Sequence, residues 1–144
     1  MDFPSLVLIC RCFDQRFALP AAKVARVLSA VQFVAIQQLS GGAVGVVNVA
    51  GVNLALCDSR RALGSPSVEL LPEQRFIELE GLSGLRHWLL WVDEVIGIVT
   101  VHQAQCDALD VSNGATVRQV LRLPLETVPL LNLHALESNA VIGD

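Results

Sequence analysis

The chain has 144 residues, 53% of them hydrophobic and 17% charged, and carries a formal net charge of −4. That is enough for one domain with a substantial core and too apolar for a disordered chain. The densest basic cluster is Arg60-Arg61 in an acidic background, which excludes the basic face that nucleic-acid binding needs. Residues 6–13 read as a first strand, apolar on both faces except for Arg11, and a polar turn at Asp14-Gln15 returns it through 16–19 as a hairpin. Pro20 breaks that strand and suits the first position of a helical turn. Over 21–28 the spacing of Val24, Val27 and Leu28 predicts a short amphipathic helix. Residues 32–39 read as strand or loop, and Gly41-Gly42 as a turn. No charge occurs from Val27 to Cys57, but Gln37, Gln38, Ser40, Asn48 and Asn53 interrupt the run, so it reads as buried sheet and not as a membrane span.

The most informative stretch is 45–64. Two small apolar strands, 46–49 and 52–57, flank a tight turn at Ala50-Gly51. Asp58 then stands where an N-cap would, before one helical turn over 59–63, with Gly64 as its stop. A Pro/Ser-rich surface loop over 64–72 leads to a strand at 75–80, a hairpin turn at 81–84 and a partner strand at 86–92. That partner places Trp88, Leu90 and Val92 on one face and His87, Leu89 and Trp91 on the other. Asp93-Glu94 interrupts before a β-branched run over 95–101, with Gly97 marking a bulge or bend. Residues 103–116 are polar and irregular, with a turn at Asn113-Gly114. Strands at 117–123 and 127–132 follow, then a helix over 133–137 and a frayed tail from 138 to 144. Nine or ten short strands with tight turns argue for a barrel or sandwich.

Chemistry is sparse. Cys10, Cys12, Cys57 and Cys106 lack zinc-ligand spacing, and Cys10 and Cys12 share a strand face where they cannot easily pair, so all four read as reduced thiols. His87, His102 and His134 are isolated from any candidate nucleophile. Asp93 and Glu94 point to opposite faces and do not converge, and no glycine loop has a phosphate-binding pattern. No catalytic residue, cofactor or metal ligand is expected. The start, Met1-Asp2-Phe3-Pro4, lacks the basic opening of a signal peptide, and the expected location is cytoplasmic.

Four blocks in order resemble the CheW-like coupling domain of bacterial chemotaxis signalling. Arg16-Phe-Ala-Leu-Pro20 leads to Val24 and Val27 as in the family's Ala-Leu-Pro and Val-x-x-Val. Gly45-Val-Val-Asn-Val-Ala-Gly51 with Asp58-Ser-Arg60 is similar to its Gly-Val-Ile-Asn-Leu-Arg-Gly and Asp-Leu-Arg. Val92-Asp-Glu-Val-Ile-Gly97 matches its Val-Asp-Glu-Val-x-Gly, and Leu130-Leu-Asn-Leu133 resembles its closing Leu-Leu-Asp-Leu. The resemblance implies a single domain over 1–144, ordered over about 5–137, built as two five-stranded β-barrels that share a hydrophobic junction. It implies a non-catalytic adaptor, without membrane insertion, that joins the cytoplasmic tip of a methyl-accepting chemoreceptor to the regulatory domain of a CheA-type histidine kinase. A type IV pilus or other chemosensory array fits as well as flagellar chemotaxis.

The implied partner-binding residues are Val24, Arg26 and Val27 with the Val49-Ala50-Gly51 turn, and the implied structural positions are Asn48, Asp58, Gly64, Asp93 and Gly97. Ala50 stands where the family has Arg, and Arg26 where it often has Glu, so an ion pair across the receptor groove would have lost both partners. Ala55, Ser59 and Asn132 replace a usual Pro, Leu and Asp. Two other readings remain open: a small-ligand-binding β-barrel around Trp88 and Trp91, and a redox sensor using Cys10 and Cys12.

Overall fold

A computed structural model describes residues 3, 5–35, 43–65, 69–82 and 86–140. The expectations for Gly41-Gly42 and for parts of 32–39, 64–72, 81–84 and the tail fall outside these residues. The described residues form strands β1 (Ser5–Cys12), β2 (Gln15–Pro20), β3 (Val24–Ser29), β4 (Val34–Ala35), β5 (Ala43–Val49) and β6 (Val52–Asp58). Helix α1 (Ser59–Ala62) follows, then β7 (Arg75–Leu79), β8 (Trp88–Val92), β9 (Glu94–Val101), β10 (Cys106–Ala108), β11 (Val117–Arg122), β12 (Thr127–Leu131) and helix α2 (Leu133–Ala140). They assemble into two six-stranded sheets, ordered β10-β11-β12-β2-β1-β9 and β3-β7-β8-β6-β5-β4.

Strand alternation distributes the apolar residues over three clusters. In β1, Leu8, Cys10 and Cys12 face one way and Val7 and Ile9 the other. In β8, Trp88, Leu90 and Val92 oppose Leu89 and Trp91. The first set of each strand meets in a junction between the sheets, joined by Phe17 and Leu19 of β2, Ile77 and Leu79 of β7, and Leu136 of α2. Val7, Ile9, Ala18, Val101, Leu121 and Val128 form a cluster made of the first sheet alone. Val47, Leu54, Leu56, Phe76, Leu89 and Trp91 do the same for the second. These side chains are at most 4% exposed, although their own sheet and its connections supply the neighbours, so each sheet curls over its own inner face. Both faces of β1 and β8 are thus buried, which explains why their sequences show no polar alternation.

The expected five-stranded barrels are corrected to six-stranded sheets whose edge strands, β10 and β9 in one and β3 and β4 in the other, do not pair to close them among the described residues. The additional strands include two that the sequence obscures. Residues 21–28 are not a helix: a 3-10 turn over Ala21–Lys23 gives way to β3, which pairs with β7 from Val24↔Leu79 to Ser29↔Arg75. An i, i+3, i+4 match over eight residues is weak evidence for a helix, and β-branched valines opposite a hydrogen-bonding strand outweigh it. β10 lies within the segment expected to be irregular, and its three residues pair with β11. The first hairpin turns one residue earlier than expected, at Phe13-Asp14, because Cys12 pairs with Gln15. Helix α2 runs to Ala140, past the expected 137, and Glu137 on it is buried, accepting the Leu82 N–H at 3.1 Å.

Candidate functional site

Asp58 ends β6 and caps α1, as its position before Ser59-Arg60 predicts: Oδ1 accepts the Arg60 N–H at 3.0 Å. Gly64, at φ +87°, closes the turn, with Ser65 N–H bonded to Arg60 O and Gly64 N–H to Arg61 O, a Schellman end. The Arg60 side chain is fully buried. Its guanidinium bonds back to Asp58 Oδ1 at 3.1 Å and forward to Asp93 Oδ1, and its Cζ lies 4.9 Å from the Trp91 ring centroid and 5.4 Å from that of Phe13. Asp93, between β8 and β9, also accepts from Gln74 Nε2 at 2.8 Å and, through Oδ2, from the Phe13 N–H at 2.6 Å. Gln74 Oε1 in turn takes the Trp91 indole N–H at 3.0 Å, and Ser59 Oγ donates to Trp91 O at 2.6 Å.

Arg60 therefore ties the second sheet, through Asp58, to the crossing between sheets at Asp93 and to the β1–β2 hairpin at Phe13. Phe13 has φ +54°, a conformation L-residues avoid, and the Asp93 carboxylate holds it there. The neighbour Glu94 points away and pairs with Arg11 at 3.0 Å, as alternation along a strand requires. A fully desolvated Arg between two carboxylates and two rings has no solvent route for a ligand. It is a structural hub.

The expected partner-binding residues lie elsewhere on the second sheet. Val24 is half-buried against the junction cluster, whereas Arg26 and Val27 are exposed on the β3 edge, Val27 by 44%. The β5–β6 turn puts Ala50 at φ +50° and Gly51 at φ +88°, the paired left-handed geometry of a type I′ hairpin. Asn48 buttresses it: Oδ1 accepts the Gly51 N–H at 3.2 Å and Nδ2 donates to Asn53 Oδ1 at 3.0 Å. Val49 packs against the inner cluster of the second sheet, as does Leu28 of β3. In the sheet order β7, β8 and β6 intervene between β3 and β5, so the two segments share a core without being hydrogen-bonded neighbours. Gly45 sits where any Cβ would lie 2.4 Å from the Val34 carbonyl, which is what lets β4 cross β5 so closely. Gly97 adjoins a β-bulge: β1 pairs Ile9 with Gly97 but Cys10 with Val95, leaving Ile96 as the extra residue.

Arg26 is not left without a partner by the loss of an Arg at position 50. Its Nε bonds Glu78 Oε1 at 2.7 Å, directly across from it on β7, and Glu78 Oε2 lies 2.7 Å from His87 Nδ1. Burial pushes the Glu78 carboxyl up, but hydrogen bonds and charge from His87 and Arg26 outweigh it, and its pKa lies below the usual carboxylate value. The sequence reading missed this trio because only strand register brings positions 26, 78 and 87 together. It also missed Arg60, although Asp58-Ser59-Arg60 and Asp93 had both been singled out.

Both open alternatives lose support. Burial drives the Cys10 and Cys57 thiols up to about 12 and raises Cys12 as well, opposite to the exposed low-pKa thiolate a redox sensor requires. Trp88 and Trp91 are 3% and 2% exposed and fill two different clusters, so neither presents indole surface to a ligand.

Comparison with known proteins adds independent findings. No curated protein matches the sequence. Among solved structures the fold is similar to the crystal structure of the scaffolding protein TtCheW from Thermoanaerobacter tengcongensis, with a TM-score of 0.81 at 18% identity over 93% of this chain and 92% of that one. The family model for the CheW-like domain matches residues 6–140, from β1 through the end of α2 and across both halves of the arginine hub. The chain belongs to the CheW-like domain family.

Proposed function

We propose that this chain is a non-catalytic adaptor of a chemotaxis-type signalling array, coupling the cytoplasmic tip of a chemoreceptor to the regulatory domain of a CheA-type histidine kinase in the cytoplasm. The observation that carries this reading is the family match over residues 6–140. Surface chemistry supports it: the β3 edge, the connection after it and β4 expose Val27, Val31 and Val34 by 44%, 49% and 68%, and the hairpin tip exposes Val52 by 47%. An adaptor needs such apolar surface to be covered by partners. Its receptor contact is assigned to Val24, Arg26 and Val27 with Val49, Ala50 and Gly51. No helix of the described residues is long and apolar enough to cross a membrane.

The changed charges at positions 26 and 50 depart from the family's usual receptor contact, and a type IV pilus or other chemosensory array fits as well as the flagellar one. Arg26, fixed by Glu78, presents a cation where the family often presents an acid. The sharpest test replaces Val27 with Asp and titrates the variant against the receptor and kinase fragments encoded alongside this chain. Receptor affinity should fall by about tenfold or more, the loss of about 1.4 kcal/mol at a buried interface position, while thermal stability moves little. Unchanged affinity for every receptor fragment would remove the β3 edge from the contact. Restoring the family's pair by Arg26→Glu with Ala50→Arg requires a third change, Glu78→Gln, because the new carboxylate would otherwise face Glu78 across the strand pair.

A further inference from the structure

Each sheet ends on two edge strands, and three of the four edges are blunted. β4 and β10 are two and three residues long, and β3 carries the exposed Arg26. Short length and charge are common means by which an edge avoids pairing with a foreign strand. β9 has neither. It runs for eight residues, has no charge after Glu94 and no proline, and pairs with β1 alone among the described residues. Its bulge at Ile96 disturbs only the first half, so 97–101 is a regular, uncharged edge. Ile96 and Ile98 are 39% and 60% exposed on this strand, and Leu6, across from Thr100 on β1, is 54% exposed. A cavity of about 270 Å³ lies between β9 and the β11–β12 turn, where Leu125 is 98% exposed.

From this unblunted edge we infer that β9 is a dimerisation strand, which pairs antiparallel with β9 of a second copy and joins the two first sheets edge to edge. Charge selects that occupant. The ionised groups beside the edge are already matched, Glu94 by Arg11 at 3.0 Å and, at the cavity, Arg16 by Glu126 at 2.9 Å. A charged strand would lose hydration against 95–101 and gain no counter-ion there. A second copy offers an uncharged strand of the same length, and a two-fold contact uses the same patch on both copies, so no like charges meet along 95–101. A two-fold axis normal to the sheet keeps each side chain on its own face, and an axis at Val99 overlaps the whole of 97–101 in both copies. Ile98 then faces Thr100, a β-branched pair on the outer surface, and Gly97 faces Val101. One strand edge is smaller than a standard interface of about 1,600 Å², so the dimer is weak and reversible. None of the residues assigned to the receptor takes part, and the β9 contact stands or falls independently of that reading.

The test is analytical ultracentrifugation of the full chain from about 5 to about 500 µM, which should show a reversible monomer–dimer equilibrium. Ile98→Lys places a charge on the uncharged edge and should weaken the dimer about tenfold or more. Thr100→Lys, at another exposed position of β9, serves should the first variant fail to fold. Val27→Asp on the β3 edge should leave the equilibrium unchanged. Two chains of net charge −4 repel, so raising salt from about 50 to about 500 mM should strengthen an uncharged contact by screening that repulsion. Amide hydrogen exchange over 97–101 should slow as concentration rises, because pairing protects the outer edge. A chain that stays monomeric throughout overturns the dimer. So does a dimer that Ile98→Lys and Thr100→Lys leave intact, that Val27→Asp weakens equally, or that salt weakens. Concentration-dependent protection on β3 in place of β9 would assign the contact to the other sheet and overturn it as well.

Discussion

Arg60, in the helical turn that follows β6, and Arg26, on β3 of the same sheet as β6, are each bound to carboxylates, yet they do opposite work. Arg60 has no exposed side-chain surface, holds Asp58 and Asp93, and is sandwiched by Phe13 and Trp91. Arg26 keeps 51% of its side chain in solvent and shares one acid, Glu78, with His87. A buried ion cluster is weak evidence of net stabilisation, but breaking it is costly because the remaining charges stay desolvated. An exposed pair gains little and loses little. Disrupting the hub is therefore the costlier change, and the outer trio can be altered with little loss of stability.

The largest expected effect breaks the hub. Arg60→Met keeps the volume between the two rings but leaves Asp58 and Asp93 without their cation, at a cost of about 3–5 kcal/mol in urea unfolding. Adding Asp58→Asn and Asp93→Asn to Arg60→Met should recover part of that loss, because the stranded charges are then gone. A loss under about 1 kcal/mol for Arg60→Met would mean that water reaches the cluster and that the contrast with Arg26 is false.

Asp58 sharpens the same contrast at a smaller scale. Capping alone makes Asp58→Ala cost about 1 kcal/mol. Because Oδ1 also holds the Arg60 guanidinium, the loss should reach about 2–3 kcal/mol. Asp58→Asn keeps an acceptor for the Arg60 N–H and loses only the charge, so it should fall between wild type and Asp58→Ala. Equal unfolding midpoints for the Asn and Ala variants would show that the charge accounts for the whole effect and the cap for none of it.

The hub also shows what could be read in the residues and what could not. The cap at Asp58, the stop at Gly64 and the hairpin at Ala50-Gly51 are local chemistry, set by side chains within a few positions of one another, and all three are found where expected. The two-faced burial of β8 was also legible, since Trp88-Leu-Leu-Trp-Val92 offers no polar face. Long-range register was not. Nothing in Asp58-Ser59-Arg60 says that the guanidinium turns inward to Asp93, and nothing in Val24-Ala-Arg-Val27 distinguishes an edge strand from one helical turn until β7 is placed beside it. β10 escaped notice because three residues, Cys106-Asp-Ala108, are too short a run to show alternation. The expected partner-binding residues came from the family resemblance, and only strand pairing shows that Glu78 and His87 lie beside Arg26.

The smallest effect tests the outer trio through pH. Glu78 has its carboxyl pKa held below the ordinary value in the folded chain, with burial opposing and the bonds from His87 and Arg26 prevailing. A carboxyl whose folded pKa is depressed contributes stability above its unfolded pKa, near 4.5, and loses that contribution as pH falls through the folded value. Arg26→Ala removes one of the two bonds but leaves His87 in place, and Arg26 is half in solvent, so the cost at pH 7 should be only about 0.5–1 kcal/mol. That difference between wild type and variant should be fully present above the unfolded value and shrink as pH falls through the lowered folded value, where protonated Glu78 no longer distinguishes them. Urea midpoints measured across this range give the comparison directly, with Arg60→Met as the reference whose deficit at pH 7 is several times larger. An Arg26→Ala deficit that stays constant through the acid range until the chain unfolds would assign the cost to lost packing of the arginine stem and not to the Glu78 pair.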